Sequence, residues 1–125
     1  MGHGADPDFA AAPTNAGHNR HGNRRPLGGG SMYAIVFDLD TSTLENTYPN
    51  MSWRNAYADV RRVLEQRGFD WQQGSTYFGN DSVTAVDCVL AVQALKRAYN
   101  WFQPSVRDIR MLRIEENNDL GPALE

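Results

Sequence analysis

Histidine is missing from most of this chain of 125 residues. The three that it has, His3, His18 and His21, all lie near the N-terminus. From residue 32 onward, the sequence therefore excludes a histidine general base and a histidine-rich metal site. Cysteine is nearly missing too, because Cys88 is the only one. It cannot form an intrachain disulfide, which favours a reducing cytoplasm, and its apolar helical surroundings predict inert packing.

Long apolar runs and an excess of basic residues are missing as well. No segment approaches the roughly 20 apolar residues of a membrane-spanning helix, and the apolar core of a secretory signal is absent. We therefore expect a soluble, cytoplasmic protein without a membrane partner. The net charge is −3 over the whole chain and −4 over residues 32–125. Nucleic-acid binding would therefore need a local arginine patch.

The first 31 residues differ in composition from the rest. They are rich in Gly, Pro, Ala and Asn, show no apolar periodicity, and end in Gly-Gly-Gly-Ser at residues 28–31. This pattern predicts a disordered leader or an added extension over residues 1–31. Residues 32–125 are then long enough for one folded domain.

The most informative stretch runs from Tyr33 to Asp40 and reads YAIVFDLD. Its apolar and β-branched residues predict a strand buried on both faces, with Asp38 and Asp40 on the same side at its carboxyl end. Two buried carboxylates are costly unless something pairs with them, so we expect chemistry at this strand end. The alternative is that one carboxylate caps the following turn and the other is solvated.

A polar loop and a helix are predicted to follow the first strand. The loop covers residues 41–50, and the helix begins with Asn50 or Ser52 as its cap and stops at Gly68. The apolar stripe that this helix should bury consists of Trp53, Ala56, Tyr57, Val60, Val63 and Leu64.

The second half of the chain predicts a hairpin, a helix and a last strand. The hairpin covers residues 69–78 and turns at Gln73-Gly74. The helix covers residues 83–99, with Asp81 or Ser82 as its cap, and the strand covers residues 109–115. The residues predicted to form the buried face of this second helix are Val86, Val89, Leu90, Ala94 and Ala98.

The resulting order, β-α-β-β-α-β, is the ferredoxin-like split β-α-β fold of the α+β class. It predicts a four-stranded antiparallel sheet with both helices on one face and the spatial strand order 4-1-3-2. The end of the first strand, the hairpin turn and the start of the fourth strand then meet at one edge. We expect this edge to collect Asp38, Asp40, Ser75, Arg107 and Asp108.

Such a set of side chains suits phosphodiester chemistry in two ways. Asp38 and Asp40 could hold a Mg²⁺ ion that polarises a phosphoryl oxygen and activates water. Without a metal, a carboxylate could act as a general base on a ribose 2′-hydroxyl, with Arg107 or Arg110 stabilising the phosphorane. Together with Arg113, these arginines would supply the local positive patch that RNA requires.

Interpretations without catalysis remain open for the same residues. Ser75 could be an ordinary turn residue, Asp108 could pair with a neighbouring arginine, and arginines are typical of a solvated edge strand. The chain would then be a dimeric RNA-binding or partner-binding module in which Asp38 and Asp40 are structural.

Three motifs resemble the virulence-associated protein D (VapD) family. They are MYAIVFDLD at residues 32–40, GFDWQQGSTY at residues 68–77 and WFQPSVRDIR at residues 101–110, and the resemblance covers essentially all of residues 32–125. Members of that family are small bacterial endoribonucleases, some of them toxins of toxin-antitoxin pairs. They share the ferredoxin-like fold and dimeric form of the small CRISPR-associated nuclease of spacer acquisition.

The resemblance implies RNA as substrate, a homodimer, and an antitoxin protein as partner. The catalytic aspartate proposed for the family falls on Asp38, the serine of its Gly-Ser turn on Ser75, and the aspartate of its Arg-Asp-Ile-Arg motif on Asp108. Asp40 is not a uniform feature of the family, which weakens a fixed two-aspartate metal site.

Residues 34–44 are also similar to the first motif of haloacid dehalogenase-type phosphatases. In that family the first aspartate is a nucleophile, the second a general acid, and magnesium lies between them. Thr41 stands where that family normally has glycine. The domain is also too short for the long parallel sheet of those enzymes.

Overall fold

A computed structural model describes residues 31–125 of the chain. The predicted leader over residues 1–31 therefore lies outside the described residues, apart from Ser31, and stays a prediction. Across the described part of the chain, none of the helices has the length and apolar character needed to cross a membrane.

The described residues form one four-stranded antiparallel sheet with the spatial order β2-β3-β1-β4. This order confirms the predicted ferredoxin-like α+β fold, in which the first strand is central and antiparallel to both neighbours. The strands are β1 (Met32–Leu39), β2 (Phe69–Gln73), β3 (Thr76–Gly79) and β4 (Val106–Ile114).

Four helices connect these strands. They are α1 (Thr41–Thr47), α2 (Asn55–Gln66), α3 (Ala85–Ala98) and the single-turn helix α4 (Phe102–Ser105). A turn of 3-10 helix, Gly121–Leu124, lies near the C-terminus.

The core lies between one face of the sheet and the helices. Alternate β1 residues Ile35, Phe37 and Leu39 are buried in it, because successive strand residues point to opposite faces. The other face of β1, called the open face below, begins with buried Met32 and Ala34 but ends with exposed Asp38. The prediction of a strand buried on both faces is therefore wrong at the carboxyl end.

Helix α2 confirms most of its predicted stripe. Ala56, Val60 and Leu64 are fully buried, Tyr57 and Val63 pack against the core while partly buried, and Trp53 lies before the helix. Its end at Gly68 is also confirmed, since this glycine has a φ of +93°. A β-carbon there would approach Asn80 Nδ2 to 2.9 Å, so both the conformation and the space favour glycine. Arg54 occupies the cap position instead of Asn50 or Ser52, and the Asn50 side chain accepts a bond from the Ser52 N–H before the helix.

The predicted polar loop over residues 41–50 is wrong, because helix α1 lies there. Leu44 is its only buried residue and is fully buried. Tyr48 follows at the C-cap and packs its ring 5.3 Å from that of Trp101. One buried residue in a short polar helix leaves no periodic pattern to detect.

Helix α3 buries a different face from the predicted one. Val86, Val89 and Leu90 are 43% to 64% exposed, whereas the buried residues are Cys88, Ala91 and Leu95. Apolar residues surround much of this helix, so periodicity alone did not identify the side that packs. The small side chains of Cys88 and Ala91 permit close approach to the core.

Asp87 influences both the start of α3 and the cysteine that follows it. Thr84, not Asp81 or Ser82, is the cap: its hydroxyl accepts the Asp87 N–H at 3.1 Å, and the Asp87 carboxylate accepts the Thr84 N–H at 2.9 Å. This is a capping box, which satisfies two helix N–H groups. Burial, with a smaller contribution from Asp87, raises the pKa of Cys88 to about 11. The thiol is therefore protonated at neutral pH, as inert packing requires.

The orientation of α3 predicts unequal effects of two substitutions. Leu95→Ala should lower the free energy of unfolding by about 2–5 kcal/mol, because it leaves a cavity in the core. Val89→Ala should change it by less than about 1 kcal/mol, because Val89 is more than half exposed. Urea unfolding followed by tryptophan fluorescence measures both values. Equal losses of unfolding free energy would contradict the observed orientation and support the buried face predicted from the sequence.

Candidate active site

The candidate site lies where β1 and β4 stop pairing regularly. Asp38 is opposite Asp108, but Leu39 is opposite Val106, so the register shifts at this point. Arg107 is the extra residue on β4, which makes this a β-bulge. Bulges redirect side chains, and here Arg107 lies next to the carboxylates at the end of β1.

Asp38, Asp40 and Arg107 form a group that we call the Arg107 cluster. Arg107 Nη1 is 3.7 Å from Asp38 Oδ2, and Arg107 Nη2 is 3.8 Å from Asp40 Oδ1. These distances exceed the usual hydrogen-bond length of about 2.7–3.2 Å. The guanidinium is therefore an ionic neighbour of both carboxylates without a close hydrogen bond to either.

The Arg107 cluster is accessible to solvent. The side chains are 59%, 36% and 65% exposed for Asp38, Asp40 and Arg107, respectively. The sequence argument expected two carboxylates with a burial cost, and that expectation is wrong because Asp38 lies on the open face and Asp40 lies beyond the strand. An exposed ion pair contributes little to folding stability, so stability does not explain this arrangement.

Asp40 is held more closely than the other two members. Its backbone N–H donates to the Ser105 carbonyl at 2.7 Å, and its Oδ2 accepts the Thr43 hydroxyl at 2.7 Å. The Thr43 hydrogen bond is the main cause that lowers the pKa of Asp40, against some desolvation. The N–H groups of Ser42 and Thr43 and the charge of Arg107 lower it further, although Asp40 makes no close cap hydrogen bond to the backbone of α1.

Ser75 and Asp108 reach the same edge of the sheet from two other segments. The Ser75 carbonyl accepts the Phe37 N–H at 3.2 Å, which places Ser75 beside the residue before Asp38. Asp108 is the β4 partner of Asp38, but its carboxylate binds Arg110 Nε at 2.9 Å. The structure therefore contains the predicted surface pair between Asp108 and an arginine. It places Asp108 opposite Asp38 and the backbone of Ser75 beside Phe37.

Arg113 does not belong to this edge. It lies five residues beyond Asp108 on β4, or about 17 Å at the usual rise of a strand. Its guanidinium Nε donates to Glu115 at 2.7 Å. Arg110 is closer, but it is engaged with Asp108. Of the three arginines on β4, Arg107 is the one that contacts the carboxylates of the cluster.

Sequence reasoning missed Thr43, Ser105 and Tyr57. Thr43 follows Asp40 by three residues, a spacing typical of helix starts, but this segment was predicted to be a loop. Ser105 is fully buried, and its contribution is a backbone carbonyl that no side-chain pattern reveals. Tyr57 was assigned to the core stripe; burial and then the charge of Asp38 raise its pKa, so it lies within electrostatic reach of the site.

The donor set fits magnesium only in part. Within residues 31–125, no group of three or more histidine, cysteine, aspartate or glutamate side chains is arranged to hold a metal ion. Mg²⁺ commonly binds through one or two carboxylates, with water and substrate phosphate as the other ligands. Asp38 and Asp40 would supply those two carboxylates.

Comparison with known proteins places the chain in a family. The fold and site define a small ferredoxin-like protein with an acidic, arginine-containing sheet edge. Residues 31–120 match the family model described as CRISPR associated protein Cas2. The chain belongs to that family, and within it to the VapD group.

Curated relatives support the VapD assignment. "Endoribonuclease VapD 2" of Riemerella anatipestifer is 52% identical over 93 residues, covering 74% of this chain and 99% of the relative. "Endoribonuclease VapD homolog" of Helicobacter pylori is 51% identical over 94 residues, covering 75% and 97%. "Endoribonuclease VapD" of Dichelobacter nodosus is 39% identical over 88 residues, covering 70% and 91%.

The environment of Asp40 predicts how its titration responds to Thr43. Thr43→Val should raise the pKa of Asp40 toward its ordinary value, because the main interaction that favours the carboxylate is removed. Thr43→Ser should preserve most of the shift, since it keeps the hydroxyl. Carboxyl ¹³C chemical shifts recorded during an acid titration measure the pKa in each variant.

The same shift has a consequence for acid stability. A lowered folded pKa contributes stability above the unfolded pKa, and this contribution is lost as the pH falls through the folded pKa. Thr43→Val should therefore lower the free energy of unfolding more at neutral pH than at a pH below the folded pKa of Asp40. Thr43→Ser should not show this difference. A pKa of Asp40 that stays low in Thr43→Val would contradict the assigned cause.

Proposed function

We propose that this chain is an endoribonuclease that cleaves RNA at the Arg107 cluster, with Asp38 as the key catalytic carboxylate. The observation that carries this proposal is the exposed contact between Asp38 and the Arg107 guanidinium at the end of β1. A carboxylate can accept a proton, and an adjacent guanidinium can stabilise negative charge on a phosphoryl group. The printed names of the relatives agree with this activity.

The metal-free mechanism uses the 2′-hydroxyl of the substrate. Asp38 accepts its proton while the 2′-oxygen forms a bond to phosphorus. The bond between phosphorus and the 5′-oxygen then breaks, and the departing oxygen takes a proton from solvent. Arg107 stabilises the negative charge on the phosphorane oxygens. The products would be a 2′,3′-cyclic phosphate and a 5′-hydroxyl.

The alternative mechanism uses Mg²⁺ held by Asp38 and Asp40, which would supply Lewis-acid activation of the phosphate and of water. In that case Asp38 would hold the ion instead of accepting the proton. The 2′-hydroxyl of the substrate would then be dispensable. This difference allows the two mechanisms to be separated by experiment.

Ser75 and Asp108 have supporting roles in this proposal. Both lie at the edge that the RNA backbone must approach. Asp108 binds Arg110, whose side chain is 69% exposed, so that its guanidinium is available to contact a neighbouring phosphate. Such contacts position the RNA without reading its sequence. Arg113 would contact RNA only outside the cleavage site.

The cleavage assay compares the wild type with Asp38→Asn on an end-labelled RNA. We expect Asp38→Asn to lower the cleavage rate by at least about 100-fold, the usual contribution of a general base. Thermal melting should be unchanged, because Asp38 is largely exposed. Magnesium and chelator lanes, together with a substrate carrying one 2′-deoxy position, identify the mechanism.

Each outcome of this assay has a distinct meaning. Cleavage that persists with chelator but fails at the 2′-deoxy position establishes the metal-free mechanism. Cleavage that chelator abolishes but that still occurs at the 2′-deoxy position establishes the metal mechanism. Binding of intact RNA without cleavage would instead indicate a binding module. Hydrolysis of a simple phosphomonoester would favour a phosphatase, although the antiparallel sheet of the described residues differs from the parallel sheet of that family.

We also propose that the chain is a homodimer and acts as a cytoplasmic toxin controlled by an antitoxin protein. The dimer is supported by β4, which is an edge strand and exposes Met111 and Leu112. Leu112 pairs with Ala34, which pairs on its other side with Phe78, so apolar residues continue across the open face. Exposed edges and apolar patches of this kind favour association.

Sedimentation equilibrium tests the dimer. The wild type should have about twice the chain mass of 14.0 kDa, and Leu112→Glu should be monomeric because a charge enters the apolar contact. Val89→Glu, a matched change on the exposed face of α3, should remain dimeric. A monomeric wild type, or a dimer disrupted only by Val89→Glu, would contradict this assignment.

A further inference from the structure

The two carboxylates of the Arg107 cluster are held in different ways. Asp40 uses Oδ2 to accept the Thr43 hydroxyl and presents Oδ1 to Arg107. One oxygen thus fixes the orientation of the carboxylate while the other faces the guanidinium. Asp38, by contrast, is 59% exposed on the open face and approaches Arg107 through Oδ2.

From this division we propose that Asp40 is a positioning residue that holds Arg107 beside Asp38, and that Thr43 completes this device. The inference rests on the proposed nuclease function in its metal-free form, because the metal mechanism would make Asp40 a ligand of the ion. Asp40 then neither accepts the substrate proton nor contacts the phosphate. Asp40 affects RNA cleavage only by fixing the position of the Arg107 guanidinium.

The backbone supports this role because Asp40 and Arg107 share one anchor. The Asp40 N–H binds the carbonyl of Ser105, and Arg107 follows Ser105 by two residues. Ser105 is fully buried, and its Oγ lies 3.4 Å from Thr47 Oγ1 at the other end of α1. The short connection from Asp40 through Ser105 to Arg107 is therefore anchored at Ser105 to the packed unit of α1 and α4.

A positioning contact is needed because arginine is long and flexible. The Arg107 side chain is 65% exposed, so little packing restricts its rotamers. Catalysis benefits when the stabilising charge already occupies its place before the reaction begins. The oriented Oδ1 of Asp40 supplies an electrostatic restraint on the guanidinium, and it leaves the outer surface of Arg107 open to RNA.

The charges of the cluster predict an unusual kinetic result. Two carboxylates and one guanidinium carry a net charge of −1, which opposes the approach of phosphate. Asp40→Asn removes one negative charge and so should leave KM unchanged or lower it. Because the guanidinium loses its restraint, kcat should fall by about 10- to 100-fold. Loss of an ordinary RNA-binding residue would instead raise KM.

The decisive experiment measures kcat and KM for Asp40→Asn, Thr43→Val and Thr43→Ser on the same RNA. Thr43→Val should lower kcat in the same direction as Asp40→Asn but less strongly, and Thr43→Ser should restore it. Asp81→Asn, which makes the same charge change on an exposed loop at the opposite end of the sheet, is the control and should match the wild type. Thermal melting of each variant verifies that the fold is intact.

A double-mutant cycle with Arg107 tests the route of the effect. In an Arg107→Ala background, Asp40→Asn should cause no further fall in kcat, because the group that it positions is gone. A folded Asp40→Asn variant with wild-type kcat would overturn the inference while leaving the nuclease function intact. An additive loss in the Arg107→Ala background would also overturn it. A wild type that fails to cleave RNA would refute the proposed function, and this inference with it.

Discussion

The backbone hydrogen bond between the Asp40 N–H and the Ser105 carbonyl, 2.7 Å long, joins the two halves of the domain at the edge where the candidate site lies. It connects the residue after β1 to the residue before β4, and these two residues are 65 positions apart in the chain. Helices α1 and α4 pack against each other around it. The position of Arg107 relative to Asp38 and Asp40 depends on this connection, because the guanidinium itself makes only long contacts with the carboxylates.

The site illustrates a separation between stability and chemistry. Buried side chains such as Ile35, Phe37 and Leu39 maintain the strand, while the next side chain on the opposite face, Asp38, is largely exposed. Such alternation lets one strand serve both purposes, since its two faces meet different surroundings. A carboxylate at the surface avoids the cost of burial and remains within reach of a large polyanion such as RNA.

Sequence periodicity and connectivity predicted the parts of the structure that are repeated or topologically constrained. The apolar run before Asp38 and the strand order follow from local patterns and from the handedness of crossovers. The same reasoning brought Ser75, Arg107 and Asp108 to one edge. It failed where a single contact decides the outcome: Leu44 alone anchors α1, and nothing in the apolar surface of α3 distinguishes Ala91 from Val89 as the buried side.

The details of the site were the least predictable part. Asp40 and Thr43 have the spacing of a helix start, but their hydrogen bond joins two side chains rather than a side chain and the backbone. Arg113 and Arg107 are both arginines of β4, yet Arg113 lies far along the strand from the carboxylates. A list of charged residues therefore does not define the site, because register determines which of them meet.

The bulge at Arg107 also has an evolutionary meaning. Because Asp38 pairs with Asp108 and Leu39 with Val106, Arg107 is a surplus residue in an otherwise regular ladder. Deletion of this one codon would let β1 and β4 pair without interruption while removing the guanidinium from the cluster. A relative could thus lose this guanidinium in a single step and keep the sheet, so a one-residue change in length at this position alters the charge beside Asp38 without altering the fold.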